Sequence, residues 1–313
     1  MEQLNHSLVT YFIIKGISDV PALQTPIFIT VLLIYLLTVS GNITIFLLVC
    51  LDHHLHTPMY FFLANLSILD MSCSTVALHM IPTSYIFRDK TVSFSNCLAQ
   101  VYIFSCFTSQ ELLILSAMGY DRYAAVCKPL HYHMVMNGRV CRLMALVCWT
   151  VGFVELIPYL VLLLKISCYK TNIINHFFCD IMPFMKISCS DNSALEILFY
   201  AEGVLIVSLP PFLLTFSSYV FIINSILRIR SNTGRRKVFY TCSSHLSVVI
   251  LLYVTLLIQY MRPRSVNVLD SNKILSLFNT AAVPILNPLI YSLKNKDVKM
   301  ALMRHFSKIK MTI

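Results

Sequence analysis

Residues 98–118, LAQVYIFSCFTSQELLILSAM, run directly into Gly119-Tyr120-Asp121-Arg122-Tyr123. The run is apolar and long enough to cross a hydrocarbon layer about 30 Å thick. It ends in a carboxylate and a guanidinium, which at a bilayer surface can hold each other or let go. That is the chemistry of a conformational switch, although charges at the end of a buried helix also serve simply to snorkel to the interface. A second unusual stretch, Pro284-Ile285-Leu286-Asn287-Pro288-Leu289-Ile290-Tyr291, sets two prolines and an asparagine inside the last apolar run.

The rest of the chain repeats the first feature. Of its 313 residues 57% are hydrophobic and only 12% charged, and the mean hydropathy is +0.74. A soluble core cannot hide that much apolar surface. Runs of membrane length fall at about 26–48, 58–80, 98–119, 140–164, 196–226, 239–260 and 274–293. The expected fold is therefore all-α, a seven-transmembrane helix bundle with every connection too short to be a domain. The expected organisation is an extracellular amino terminus (1–25), the seven-span domain (26–293) and a cytoplasmic tail (294–313). The first residues carry Glu2, Asp19 and Pro21 and lack a basic start and a cleavage site, so the first span is expected to act as an uncleaved signal.

The net charge of +10 does not indicate nucleic acid, because its distribution follows the membrane. With the amino terminus outside, the inner segments hold Arg122, Lys128, Arg139 and Arg142, then Arg228, Arg230, Arg235, Arg236 and Lys237, then Lys294, Lys296, Lys299, Arg304, Lys308 and Lys310. That is 15 of the 24 Lys and Arg, as the positive-inside rule requires. The excess faces anionic lipid and a cytoplasmic partner. In the tail, Val298, Met300, Ala301, Leu302, Met303 and Phe306 alternate with bases, which predicts a short amphipathic helix on the inner leaflet.

Local signals refine the picture. Thr57-Pro58 reads as an N-cap followed by proline at the first helical position. Pro284 and Pro288 free carbonyls and bend the last span, a built-in hinge if neighbours take those groups. Asp70 and Glu111 are carboxylates at membrane depth, each requiring a proton, a partner or a cation. Asn42, Ser67 and Asn287 are candidates to share that polar network, either around a small cation or water or as a hydrogen-bonded structural cluster. Glu155 and Glu202 are further intramembrane acids. Cys97, Cys168, Cys179 and Cys189 fall on the expected outer side, where disulfides form, and allow three pairings. His176-Phe177-Phe178-Cys179 offers a soft-metal reading only if Cys179 is free. Asn5-His6-Ser7 is an exposed glycosylation sequon.

Taken together, Leu55-His56-Thr57-Pro58-Met59-Tyr60-Phe61-Phe62-Leu63-Ala64-Asn65-Leu66-Ser67, Tyr120-Asp121-Arg122-Tyr123-Ala124-Ala125-Val126-Cys127, Ser218-Tyr219, Thr241-Cys242-Ser243-Ser244-His245 and the Pro284–Asn295 region resemble the signature set of vertebrate olfactory receptors, within the rhodopsin-like G-protein-coupled receptors. Two positions depart from that pattern. Gly119 stands where the family has alanine, loosening the helix end by about 1 kcal/mol, and Tyr240 stands where a small residue is usual.

The resemblance implies an odorant bound within the bundle and a stimulatory G protein that raises cyclic AMP from the plasma membrane. By position it implies a pocket of Phe104, Ser105, Thr108, Ser109, Gly203, Val207, Tyr253, Leu256, Leu257, Tyr260, Asn279 and Thr280. It assigns switch and coupling roles to Asp121, Arg122, Tyr123, Tyr219, His245, Asn287, Pro288 and Tyr291. It pairs Cys97 with Cys179 and Cys168 with Cys189. No cofactor is expected beyond a sodium ion at Asp70 and Glu111, a reading that rests on those intramembrane carboxylates. A transporter would show internal repeats or paired broken helices, and an intramembrane enzyme a nucleophile or a His-Glu-x-x-His ligand set. The sequence shows neither.

Overall fold

A computed structural model describes residues 4–5, 9–229, 231–260, 269–294 and 296–312. Among them seven helices are long and apolar enough to cross a membrane: Pro21–Leu51, Pro58–Phe87, Phe94–Cys127, Gly138–Leu164, Leu209–Arg228, Cys242–Gln259 and Lys273–Tyr291, spans one to seven. Span three is the central post, with 67% of its most apolar window buried, against 28% for spans one and four. Leu33, Leu36, Leu37, Leu143 and Leu146 are exposed; on a membrane bundle such a face meets lipid. A further helix, Lys296–Thr312, follows span seven, and Arg304 Nη2 and Nε donate to Asp52 Oδ2 at 2.7 and 3.1 Å. Burial would raise the Asp52 carboxyl, but hydrogen bonds from His54 and Arg304 outweigh it and hold the group well below its usual range.

Several spans are not the unbroken rods that the hydropathy suggests, and proline is the cause. Pro82 bends span two, where Pro58–Leu78 gives way to Met80–Phe87 around His79. Pro158 breaks span four between Gly138–Val154 and Ile157–Leu164. Ahead of Pro210 and Pro211, span five passes from an α-helix at Ser193–Tyr200 through a π-helical segment at Ala201–Ser208. Ser208 Oγ there donates to the Gly203 carbonyl, 2.7 Å away and five residues back. The segment expected as one run at 196–226 is thus composite. Thr57 does stand at the N-cap of span two with Pro58 next, but its hydroxyl makes no cap bond. Span one begins at Pro21, earlier than the apolar run suggests.

In span seven the missing amides are compensated from neighbouring helices. Pro284 cannot donate to the Thr280 carbonyl, and Ser74 Oγ of span two does so instead at 3.0 Å. Pro288 cannot donate to the Pro284 carbonyl, and Asn42 Nδ2 of span one takes that place, also at 3.0 Å. Span one comes close because Gly41 faces Pro288: a Cβ there would meet its ring at 3.2 Å.

Two small sheets cap one end of the bundle. Strand β1 (Leu4–Asn5) pairs antiparallel with β4 (Cys168–Tyr169), and β2 (Tyr11–Ile14) lies between β3 (Thr91–Ser93), antiparallel, and β5 (Ile173–Ile174), parallel. The anchor is Phe12, fully buried and edge-on to Tyr169 and Phe184, each 5.4 Å away. Burying such a ring stabilises the cap by about 1.5–3 kcal/mol.

The carbonyl compensation is measurable. Asn42→Ala leaves a buried carbonyl unpaired and is expected to lower stability by about 1–3 kcal/mol, whereas Thr150→Val on exposed span four should change it little. Thermal unfolding of the purified variants checks this, and equal melting points for the two would refute the role given to Asn42.

Candidate functional site

Below the cap, spans three to six surround a cavity of about 150 Å³. Phe104, Ser105, Thr108 and Ser109 line it from span three, Gly203 and Val207 from the π-helical segment, and Tyr253, Leu256 and Leu257 from span six. Nine expected pocket residues therefore meet around one space. Sequence reasoning missed Leu112, Leu156, Tyr159, Ile181, Phe199, Tyr200 and Ser208, which complete the wall. The signal for Leu156 and Tyr159 was Pro158, whose break turns that part of span four inward; for Ser208 it was the Pro210-Pro211 pair.

Asn279 and Thr280 do not line this cavity. Asn279 Nδ2 donates to Gln259 Oε1 of span six at 2.5 Å, and Thr280 Oγ1 to the Ser276 carbonyl at 2.8 Å. They serve helix packing. The Tyr260 side chain lies outside the described residues, as does that of Asn5 on β1 and that of Tyr240.

The roof is pinned to span three. Cys97 and Cys179 form a disulfide with Cα atoms 5.4 Å apart, and Cys168 and Cys189 another at 5.2 Å. Gln100 Oε1 accepts from the Cys179 amide at 2.8 Å while its Nε2 donates to the Val76 carbonyl at 2.6 Å. Phe178 meets Phe104 edge-on at 4.9 Å. With Cys179 in a disulfide, the soft-metal reading of His176 and Cys179 falls, and no group of three metal-ligating side chains gathers among the described residues. Burial and nearby Lys273 push the His176 pKa down to about 3. Asp180 caps the short helix Ile181–Ile187 by accepting from the Ile181 amide at 2.7 Å, and burial pushes its carboxyl up to about 6.

Halfway down, Asn287 Nδ2 donates to both oxygens of Asp70 at 2.9 Å. Glu111 is buried close by, with Oε1 lacking a hydrogen-bond partner. Asn42 and Ser67 do not join Asp70: the first serves the Pro284 carbonyl, the second the Leu63 carbonyl at 3.0 Å.

At the basic end Arg122 Nη2 and Nε donate to Asp121 Oδ2 at 2.5 and 3.0 Å, and Tyr132 Oη donates to Asp121 Oδ1 at 2.7 Å. The carboxylate is fully buried. His245 links three spans: Nε2 lies 3.0 Å from the Leu115 carbonyl and Nδ1 lies 2.8 Å from Tyr219 Oη. A carbonyl only accepts, so a neutral imidazole carries its proton on Nε2 and Nδ1 accepts from Tyr219. Tyr219 Oη also lies 3.0 Å from the Cys242 carbonyl, so its single proton is shared between the two acceptors. Tyr123 packs between Tyr120 and Phe221, while the fully buried Tyr291 hydroxyl has no described partner.

The structure thus holds a cavity under a disulfide-pinned loop and a paired aspartate and arginine farther along the same central helix. The olfactory receptor family model matches residues 31–309. The chain belongs to the olfactory receptor family. It is 44% identical to Olfactory receptor 5AR1 of Mus musculus over 98% of this chain and 99% of that protein. It is 43% identical to Olfactory receptor 6C1 of Homo sapiens over 95% of each, and 42% identical to Olfactory receptor 8G50 of Mus musculus over 99% of each. As an olfactory receptor it is an odorant-sensing G-protein-coupled receptor and a multi-pass membrane protein.

The Asp180 environment gives a pH test. Its pKa is raised in the folded state, so its contribution to stability is fullest below the unfolded value of about 3.9 and is lost as pH rises through about 6. Asp180→Asn keeps an acceptor for the Ile181 amide without the charge. It is expected to unfold at higher temperature than the parent at about pH 7.5, by the equivalent of about 2–3 kcal/mol, with the gap closing toward about pH 4. A gap independent of pH would refute the assignment.

Proposed function

We propose that this receptor holds a small, volatile, mostly apolar odorant in the span three-to-six cavity and activates a stimulatory G protein from its basic end, raising cyclic AMP. The observation that carries the reading is the cavity itself. About 150 Å³ with a wall of Leu, Phe, Val and Ile side chains and a few hydroxyls suits a molecule near the size of benzene bearing one polar group. The amino terminus is outside the plasma membrane on this reading, because the disulfides lie at the end opposite Arg122, Arg139 and Arg142, and inner segments favour basic residues.

Arg122 has the coupling role, held by Asp121 at rest and contacting the G protein when released, with Tyr219 and Tyr291 bracing the opened face. The buried Asp70 carboxylate and the orphan Oε1 of Glu111 suit a hard monovalent cation, for which oxygen donors are the fitting ligands. Sodium there would hold spans two and three in the resting arrangement. The Lys296–Thr312 helix would lie along anionic lipid.

Cells carrying a cyclic AMP reporter and an odorant panel test the reading. Leu256→Trp fills the cavity and is expected to abolish responses at matched surface expression. Arg122→Ala should keep odorant binding and lose cyclic AMP. A normal cyclic AMP response from Arg122→Ala would remove its coupling role, and an unshifted glycosidase-sensitive band in Asn5→Gln would remove the orientation or the site.

A further inference from the structure

Three hydroxyls of the cavity wall donate back along their own helices. Ser105 Oγ donates to the Val101 carbonyl at 2.8 Å, Thr108 Oγ1 to the Phe104 carbonyl at 3.0 Å, and Ser208 Oγ to the Gly203 carbonyl at 2.7 Å. Serine and threonine in membrane helices commonly bond back along their own helix in this way. Ser109 does something different. Its proton leaves the helix and goes to Glu155 Oε1 in a short contact. Glu155 stands at the Pro158 break of span four, capping Gly138–Val154, so that its carboxyl reaches span three from behind the cavity wall.

A hydroxyl has one proton and two lone pairs. Where the proton is committed to a carboxyl oxygen or a carbonyl, the lone pairs are what remains for a ligand. Ser105, Thr108 and Ser109 occupy adjacent turns of one helix face and together make an acceptor floor. Tyr253 Oη also points away, to the Ser208 carbonyl, but at 3.4 Å that bond is the longest of the set.

We propose that the cavity selects ligands that donate a hydrogen bond, namely small alcohols, and discriminates against aldehydes and ethers of the same carbon skeleton, with Ser109 as the specificity-determining acceptor and Glu155 as the positioning residue that takes its proton. The proposal rests on the cavity being the odorant site. A carbonyl or ether oxygen brought against this floor meets lone pairs and leaves both sides unsatisfied in an apolar space, whereas a hydroxyl satisfies one of them. The difference is one hydrogen bond plus the cost of its absence, about tenfold or more in affinity.

Matched probes separate the ideas: 1-hexanol, hexanal and 1-methoxypentane, then benzyl alcohol, benzaldehyde and anisole, each titrated against the purified full-length receptor, with affinity read from the ligand-dependent rise in unfolding temperature. In the parent at least one alcohol is expected to bind about tenfold or more tightly than its aldehyde and ether. Ser109→Ala should collapse that advantage to less than about threefold. Glu155→Gln supplies an amide that can donate to Ser109 and release the serine proton toward the cavity, so aldehydes should gain relative to alcohols. Aldehydes or ethers that bind as well as alcohols, or no binding by either alcohol, overturns the proposal. An alcohol that binds Leu256→Trp as well as the parent shows instead that the cavity is not the site, which is failure of the underlying reading and distinct from failure of the acceptor floor.

Discussion

Every other feature of this receptor depends on the rule that a backbone amide or carbonyl within hydrocarbon must find its partner inside the protein. The rule makes the spans helical. It also makes each intramembrane proline consequential, because proline deletes one donor and leaves a carbonyl four residues earlier without its usual bond. Pro284 and Pro288 show the compensation in full: the carbonyls they leave are those of Thr280 and Pro284, and Ser74 and Asn42 donate to them. Spans one, two and seven are thereby joined through main-chain atoms. A polar side chain that serves a proline gap is part of the backbone's hydrogen bonding.

The same deletions shape the cavity. The Pro158 break sets Leu156 and Tyr159 into its wall and Glu155 behind Ser109. The π-helical segment before Pro210 widens span five and presents Gly203, Val207 and Ser208. The cavity therefore lies where two helices depart from regular winding, against a third that does not. Span three, continuous over Phe94–Cys127, carries both the cavity floor and the Asp121–Arg122 pair.

Much of this was legible in the sequence, for identifiable reasons. Hydropathy located the spans because lipid imposes one length and one polarity on all of them. The motifs located the Asp121–Arg122 pair because the two charges are adjacent in sequence at the end of an apolar run. Hydropathy could not show the π-helical segment, since an apolar run reads the same whether its helix is α or π. Nor could it show that residues near Phe12 form strands, because a two- to four-residue strand draws its stability from Tyr169 and Phe184, which lie far away in sequence. Asn42 was grouped with Asp70 because both are polar at membrane depth. The gap made by Pro288 was the stronger claim on its amide, and the sequence already held that proline.

Span three also connects the two functional ends without any chain of intermediates. Leu112 lines the cavity, and the Leu115 carbonyl, one turn on, is the point at which His245 holds span six. Tyr253 and Leu256, which line the same cavity, lie about two to three turns along span six from that tether. Displacing them bears on a helix held near its other end by the His245 imidazole and the Cys242 carbonyl, both of which Tyr219 of span five engages. A rigid helix that lines the cavity at one end and is held by polar contacts at the other has the form of a lever. On the proposed function, movement of span six would bear first on the Leu115–His245–Tyr219 contacts, the polar link between the cavity and the Arg122 end.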